Sequence, residues 1–141
     1  MSTPFQVAVD CADPHRLVRF WAEALGYEVE EQDESFIRSM VEAGHATDAD
    51  TAVVDGKLVW KDGVAAVDPE GSGPRLLFQL VPEAKAVKNR VHLDLRVGEE
   101  RHEAEVERLT ALGATRLWDG HQGPHRWVTM ADPEGNEFCV A

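Results

Sequence analysis

The sequence predicts an α+β fold built from two tandem βαβββ units, and three observations carry that prediction. A turn motif is written twice, "VDPEG" at 67–71 and "ADPEG" at 131–135, each followed by an apolar run containing a phenylalanine, "PRLLFQL" and "NEFCV". The triplet "ALG" recurs at 24–26 and 111–113, each time closing a stretch of helical periodicity. Upstream of each helix lies an alternating segment, "FQVAVDC" and "VHLDLRV". The order strand, helix, ALG, DPEG, strand therefore repeats, with a first half over residues 5–81 and a second over 90–141 of a single 141-residue domain.

Each element has a local reason. Asp13 is a good N-cap and Pro14 suits the first helical position; Leu17, Phe20, Trp21, Ala24 and Leu25 then form one apolar stripe before Gly26 ends the helix. The second helix is expected from about Glu99 to Leu112, with Glu99, Glu100 and Glu103 near the positive end of its dipole and Val106, Leu109 and Leu112 facing a core. Short strands follow in "YEVE" and "TRLWD". The DPEG segments place Pro second and Gly fourth, the chemistry of a type I turn between antiparallel strands.

Spacing locates an insertion. Gln6 to Gly26 is 20 positions and His92 to Gly113 is 21, whereas Gly26 to Asp68 is 42 and Gly113 to Asp132 only 19. The first half thus carries about twenty extra residues, placed near 31–58, where helix-like "ESFIRSMVEA" gives way to a Gly-, Thr- and Asp-rich stretch expected to be a loop.

Strand alternation sorts the opening segments into faces. Phe5, Val7, Val9 and Cys11, and likewise Val91, Leu93, Leu95 and Val97, make the apolar face expected to carry the helices. Gln6, Ala8 and Asp10, and likewise His92, Asp94 and Arg96, make a polar face that either lines a cleft shared by the two sheets or is simply solvated.

Composition limits the function. With 43% hydrophobic and 28% charged residues the chain can bury a core, and it contains no run of the roughly 18 apolar residues that a membrane span requires. "MSTPFQVAVD" lacks a basic-then-apolar leader pattern, so a cytoplasmic protein is expected. Cys11 and Cys139 have no CxxC spacing and are expected to be free thiols. A net charge of -12 opposes nucleic acid and anionic membrane surfaces and would favour a cationic ligand over an anionic one, although it also simply keeps a protein soluble.

The tandem units, closing with "ADPEGNEFCV" and opening the second half with "KNRVHLDLRV", resemble the vicinal oxygen chelate superfamily and, more narrowly, its glyoxalase-like domain proteins. The resemblance runs from Phe5 to Ala141. It implies a glyoxalase/bleomycin-resistance-type fold and a homodimer, and a function drawn from metal-dependent isomerases, lyases, dioxygenases and thiol transferases or from metal-free proteins that sequester small molecules. It also implies ligand positions on the opening and closing strands of each half, which fall here at Gln6, Gln79, His92 and Cys139.

That quartet has no carboxylate, and two neutral amides do little to offset the desolvation of a divalent ion. The favoured expectation is therefore a binding protein for a small, partly apolar molecule, with no cofactor. Its ligand-binding residues would be Gln6, Asp10, Trp60, Gln79, His92, Asp94, Arg96, Trp127 and Cys139. The alternative is a metal-dependent lyase, isomerase or dioxygenase with a divalent metal on His92, Gln6 and Gln79. Trp60, Trp118 and Trp127 read either as sheet packing or as flat walls of an aromatic site. His121 and His125 read as a polar hairpin loop, because Gly123 and Pro124 between them oppose a helix.

Overall fold

The structure is a computed structural model describing residues 1–141. It forms two compact units, Met1–Ala84 and Lys85–Ala141. In the first, β1 (Val7–Cys11) leads into α1 (Pro14–Leu25), β2 (Glu28–Val29), α2 (Glu34–Glu42), β3 (Thr51–Val54), β4 (Lys57–Trp60), β5 (Gly63–Val67) and β6 (Leu76–Leu80). The second contains β7 (Asp94–Leu95), α3 (His102–Leu112), β8 (Thr115–Gln122), β9 (His125–Ala131) and β10 (Glu137–Val140).

The two main sheets have the same topology. One runs β1-β6-β5-β2 and the other β7-β10-β9-β8, so in each the closing strand lies parallel to the opening strand and antiparallel to the one before it. This is βαβββ written twice. The parallel contact is possible because at least one helix and two strands separate the paired strands in sequence.

The helices form where their caps and apolar stripes dictate. Asp13 accepts a bond from the Arg16 amide at 3.2 Å, and Leu17, Val18, Phe20, Trp21 and Ala24 are buried as α1 packs on β5 and β6. Phe20 and Trp21 meet edge to face with ring centroids 5.3 Å apart. On α3, Val106 and Leu109 are buried against the second sheet, but Leu112, expected inside, is 36% exposed because the helix ends there.

Both DPEG segments are type I turns closed by a bond from the Gly71 amide to the Asp68 carbonyl and from the Gly135 amide to the Asp132 carbonyl, each 2.9 Å. Gly71 and Gly135 then take φ of 73° and 87°, where a side chain would be strained. Each aspartate also binds amides beyond its turn. Asp132 is 3% exposed and holds the backbone amides of Glu134 and Asn136 at 2.8 and 3.0 Å.

The insertion differs from its expected form. Its helix is present, capped by Asp33 and pinned on Ile37, which is fully buried. The segment expected as a loop is instead a hairpin, β3 against β4, turned by Asp55 and Gly56 at φ of 51° and 78°. Two consecutive positive φ values are what a two-residue hairpin turn requires. His15 and Gln32 fix the hairpin's end, contacting the Trp60 carbonyl and amide at 2.7 and 2.8 Å.

The opening strands are shorter than their alternation suggests. Phe5 and Val91, assigned to the buried face, lie outside β1 and β7 and are 73% and 83% exposed. The parity within the strands holds: Val7, Val9 and Cys11 are more buried than Ala8 and Asp10, and Leu93 and Leu95 more than His92 and Asp94. Cys11 and Cys139 are both free thiols and buried. No helix is long and apolar enough to cross a membrane.

Candidate functional site

Strand register separates the residues proposed in the first unit. Gln79 pairs with Asp10 on β1 and with Gly63 on β5, and both polar side chains are exposed. Gln6 lies four residues before Asp10, roughly 13 Å along the chain. Its side-chain oxygen accepts a bond from Arg75 Nη1 at 3.0 Å. Gln6 and Gln79 are thus not neighbours, which corrects the expected pairing of these two amides as metal ligands. Trp60 ends β4 in the separate sheet of the inserted hairpin, and Gln32 bridges its amide to the carbonyl of Gly63, the β5 partner of Gln79.

In the second unit register brings residues together. Cys139 on β10 pairs with Asp94 on β7 and with Thr129 on β9, and Thr129 pairs with Trp118 on β8. One line across four strands therefore carries Asp94, Cys139, Thr129 and Trp118. A cavity of about 340 Å³ lies over this line, bounded also by His92, Trp127, Lys88 and Ala141.

Trp118 reaches this face through a β-bulge. Arg116 pairs with Met130, and the next pair is Trp118 with Thr129, so Leu117 is an extra residue. Strict alternation from Arg116 would turn Leu117 toward the cavity and Trp118 away; the bulge exchanges them. Arg116 and Asp119 then share the helix side, where Arg116 bonds both Glu103 and Asp119 at 2.8 to 3.2 Å.

Trp127 is seated by a glycine. Gly120 is its cross-strand partner, and a methyl group there would lie within 2.6 Å of Trp127 Cζ2. The indole occupies the space that any other residue at 120 would fill.

Among the polar groups, His92 Nδ1 lies 3.2 Å from Asp94 Oδ1. Arg96 is exposed and does not line the cavity. Cys139 Sγ lies 3.5 Å from Thr129 Oγ1. Burial pushes the Cys139 thiol up, and the neighbouring Asp94 carboxylate adds to this against the Thr129 hydrogen bond, so it is a protonated thiol and a poor nucleophile.

Glu137, two residues from Cys139, is engaged elsewhere: it accepts bonds from Lys85 Nζ and from the Asn89 amide, both 3.0 Å. Burial raises its carboxyl, but the Asn89 and Lys85 bonds outweigh this and hold it below its ordinary 4.5. A carboxyl depressed on folding contributes stability above its unfolded value, and this is lost as pH falls through the folded value. Acid titration of Glu137→Gln should therefore show a shallower loss of stability below about pH 4.5 than the parent chain.

Sequence reasoning missed Lys88, Thr129 and Ala141 as lining residues and left Trp118 undecided between packing and wall. The bulge that aims Trp118 has no signature in "TRLWDGHQ". Thr129 was recoverable, since it sits two residues from Trp127 on the same face.

The sequence profile described as "Glyoxalase-like domain" matches residues 6–141. The chain belongs to the glyoxalase-like domain family. No curated protein matches it in sequence. Among solved structures, this glyoxalase-like chain is similar to a mutant of the fosfomycin resistance protein FosX from Listeria monocytogenes, complexed with Mn(II) and a dihydroxypropylphosphonic acid. The TM-score is 0.64 at 12% identity, over 99% of this chain and 89% of that one. A glyoxalase/bleomycin resistance protein/dioxygenase family enzyme from Burkholderia phytofirmans PsJN gives 0.61 at 15% identity, over 96% and 94%. The oxidase ChaP-H2 gives 0.59 at 17% identity, over 99% and 91%. At these identities the likeness concerns the fold.

The Mn(II) in one neighbour raises the question whether this chain's residues fit a metal. The ligating atoms of His92, Asp94 and Cys139 all lie within 4.8 Å of one another. Bonds of about 2.0–2.3 Å in a tetrahedral site put ligand atoms roughly 3.3–3.8 Å apart, so rotations of about an ångström would close the set. Asp94 also supplies the carboxylate absent from the quartet that the family resemblance implied. The donor set fits.

Proposed function

We propose that this glyoxalase-like chain binds a small, planar, partly apolar molecule in the second unit's cavity, as a sequestration or detoxification protein would. The observation that carries the reading is the pair of indoles: a bulge aims Trp118 into the cavity and a glycine seats Trp127 beside it. Neither device serves a core, because Trp118 remains 47% exposed. Apolar walls with a few convergent polar groups suit a ligand whose flat body stacks on indole and whose polar edge meets His92, Asp94 and Thr129.

Lys88 is the cation on the wall, and Asp94 already holds His92, so the cavity accepts a neutral or zwitterionic polar edge despite the chain's net charge of -12. A second reading, a metal-dependent lyase, isomerase or dioxygenase, is favoured by one observation only, the His92, Asp94 and Cys139 donors. If an ion is bound there it would polarise a ligand oxygen, while Lys88 orients a developing negative charge and the indoles limit water.

Thermal shift and tryptophan quenching with a panel of hydroxylated aromatic compounds test the proposal. At least one member should bind, and Trp127→Ala should weaken it about tenfold, or ~1.4 kcal/mol, with little change in Tm. A panel that neither quenches nor stabilises, or binding indifferent to Trp127→Ala, would count against the reading.

A further inference from the structure

We propose that the first unit carries a second binding site, for a small aliphatic zwitterion of the α-amino-acid type, in a cavity that the insertion builds. The cavity holds about 320 Å³, at the small end of the roughly 300–1,000 Å³ usual for ligand sites. One turn of α1, the chain after β2 and the inserted hairpin wall it, so all of it lies within Met1–Ala84. The second unit has no counterpart to the hairpin wall.

Register explains the lining. The hairpin pairs Val54 with Lys57 and Ala52 with Val59, so Val54, Lys57 and Val59 share the face that looks into the cavity. His15, Val18 and Arg19 come from one face of α1, three and four residues apart. Every apolar lining residue is a valine: Val18, Val29, Val54, Val59 and Val64 give branched aliphatic walls with no ring to stack on. The base is held by hydrogen bonds. His15 meets the Trp60 carbonyl at 2.7 Å, and Gln32 ties the Trp60 amide to the Gly63 carbonyl, each bond 2.8 Å.

Charge at the mouth selects a zwitterion. Glu30 is neutralised by Arg75 through bonds of 2.7 and 3.0 Å. Four charged groups remain, in two ion pairs of opposite sense between the hairpin turn and the body: Asp55 to Arg19 on α1, and Lys57 to Glu31 after β2. Two cations and two carboxylates cancel locally in a chain of net charge -12, so neither an anion nor a cation alone is favoured. A molecule carrying both charges can meet both. Lys57 Nζ and Glu31 Oε1 lie 3.7 Å apart, too far for a hydrogen bond, with side chains 69% and 92% exposed. Such a pair adds little to the fold and is free to turn to a ligand. The ligand's carboxylate would bridge Arg19 and Lys57, its ammonium Glu31 and Asp55, and its side chain would rest on the valines.

The test is NMR titration of the isotope-labelled chain with L-leucine, beside isocaproate, which lacks the ammonium, and isopentylamine, which lacks the carboxylate. We expect saturable shifts of the Arg19, Val54 and Lys57 amides with a Kd of about 1 mM or tighter, and at least tenfold weaker binding of each analogue. Lys57→Gln and Glu31→Gln, both at exposed positions, should each weaken leucine binding at least fivefold. Lys57→Gln should also narrow leucine's advantage over isopentylamine, and Glu31→Gln its advantage over isocaproate, which a merely structural role would not do. No saturable shift, shifts confined to the second unit, an analogue that binds as tightly as leucine, or full leucine affinity in either variant would each overturn the proposal. Trp127→Ala alters the other unit and should leave leucine binding as it is, so failure here and failure of the aromatic-ligand reading are separate results.

Discussion

Phe138→Ala should lower the stability of the chain by about 3–5 kcal/mol in denaturant unfolding. Phe138 is 1% exposed and sits on the helix side of β10, opposite Met130, which is fully buried. The substitution removes a ring from between α3 and the sheet and leaves a cavity whose walls are strands already fixed by their hydrogen bonds, so collapse is limited. Phe138→Leu keeps most of the volume and should cost less than half as much. A loss below about 1 kcal/mol for Phe138→Ala would show that the second unit's core lies elsewhere. Cys139 is the next residue but points to the opposite face, so Phe138→Leu should retain ligand binding in the second unit's cavity.

Gly120→Val should abolish ligand binding in the same cavity, lowering affinity by more than the tenfold expected of Trp127→Ala. The added side chain would enter the space of the Trp127 indole, which must leave its rotamer and swing across the cavity that it now walls. The double variant Gly120→Val with Trp127→Ala should bind as Trp127→Ala does, because the glycine acts only through the indole. That non-additivity is the signature to measure, by quenching of the remaining indoles or by calorimetry. Simple addition of the two losses would mean that Gly120 serves some other purpose, and wild-type affinity in Gly120→Val would remove the tryptophan wall from the account.

The repeat was legible because its punctuation is chemical. A Pro second and a Gly fourth, after an Asp whose carboxylate caps the next amides, specify the same turn at 68–71 and 132–135 whatever surrounds them. The α1 helix was legible for the same reason, from Asp13, Pro14 and Gly26. The hairpin at 51–60 carried the strongest hairpin signal available, Asp55-Gly56 between apolar runs, and was obscured only by the polar stretch before it.

The site was less legible because residue counting measures chain length and not register. Matching Gln6 to His92 assumed equal distances from strand to helix in both halves. The second unit interposes a 3-10 turn, Glu99–Arg101, before α3, so Asp94 lies 19 positions before Gly113 whereas Asp10 lies 16 before Gly26. By register Asp10 corresponds to Asp94 and Gln79 to Cys139, which makes Ala8 the counterpart of His92. The two halves thus share topology but differ in chemistry: where one carries His, Asp and Cys, the other carries Ala, Asp and Gln.

The extra residue at Leu117 divides β8 into two stretches of opposite parity. Before it, even-numbered residues answer to the α3 side; after it, odd-numbered ones do, as Arg116 and Asp119 demonstrate. Trp118 can therefore be exchanged to admit differently shaped molecules while the ion pairs that seat the helix stay as they are, whereas Gly120 is held by the indole of Trp127. Deleting Leu117 would join the two parities and turn the recognition surface inside out, so the tolerance of this strand to substitution should far exceed its tolerance to a change of length.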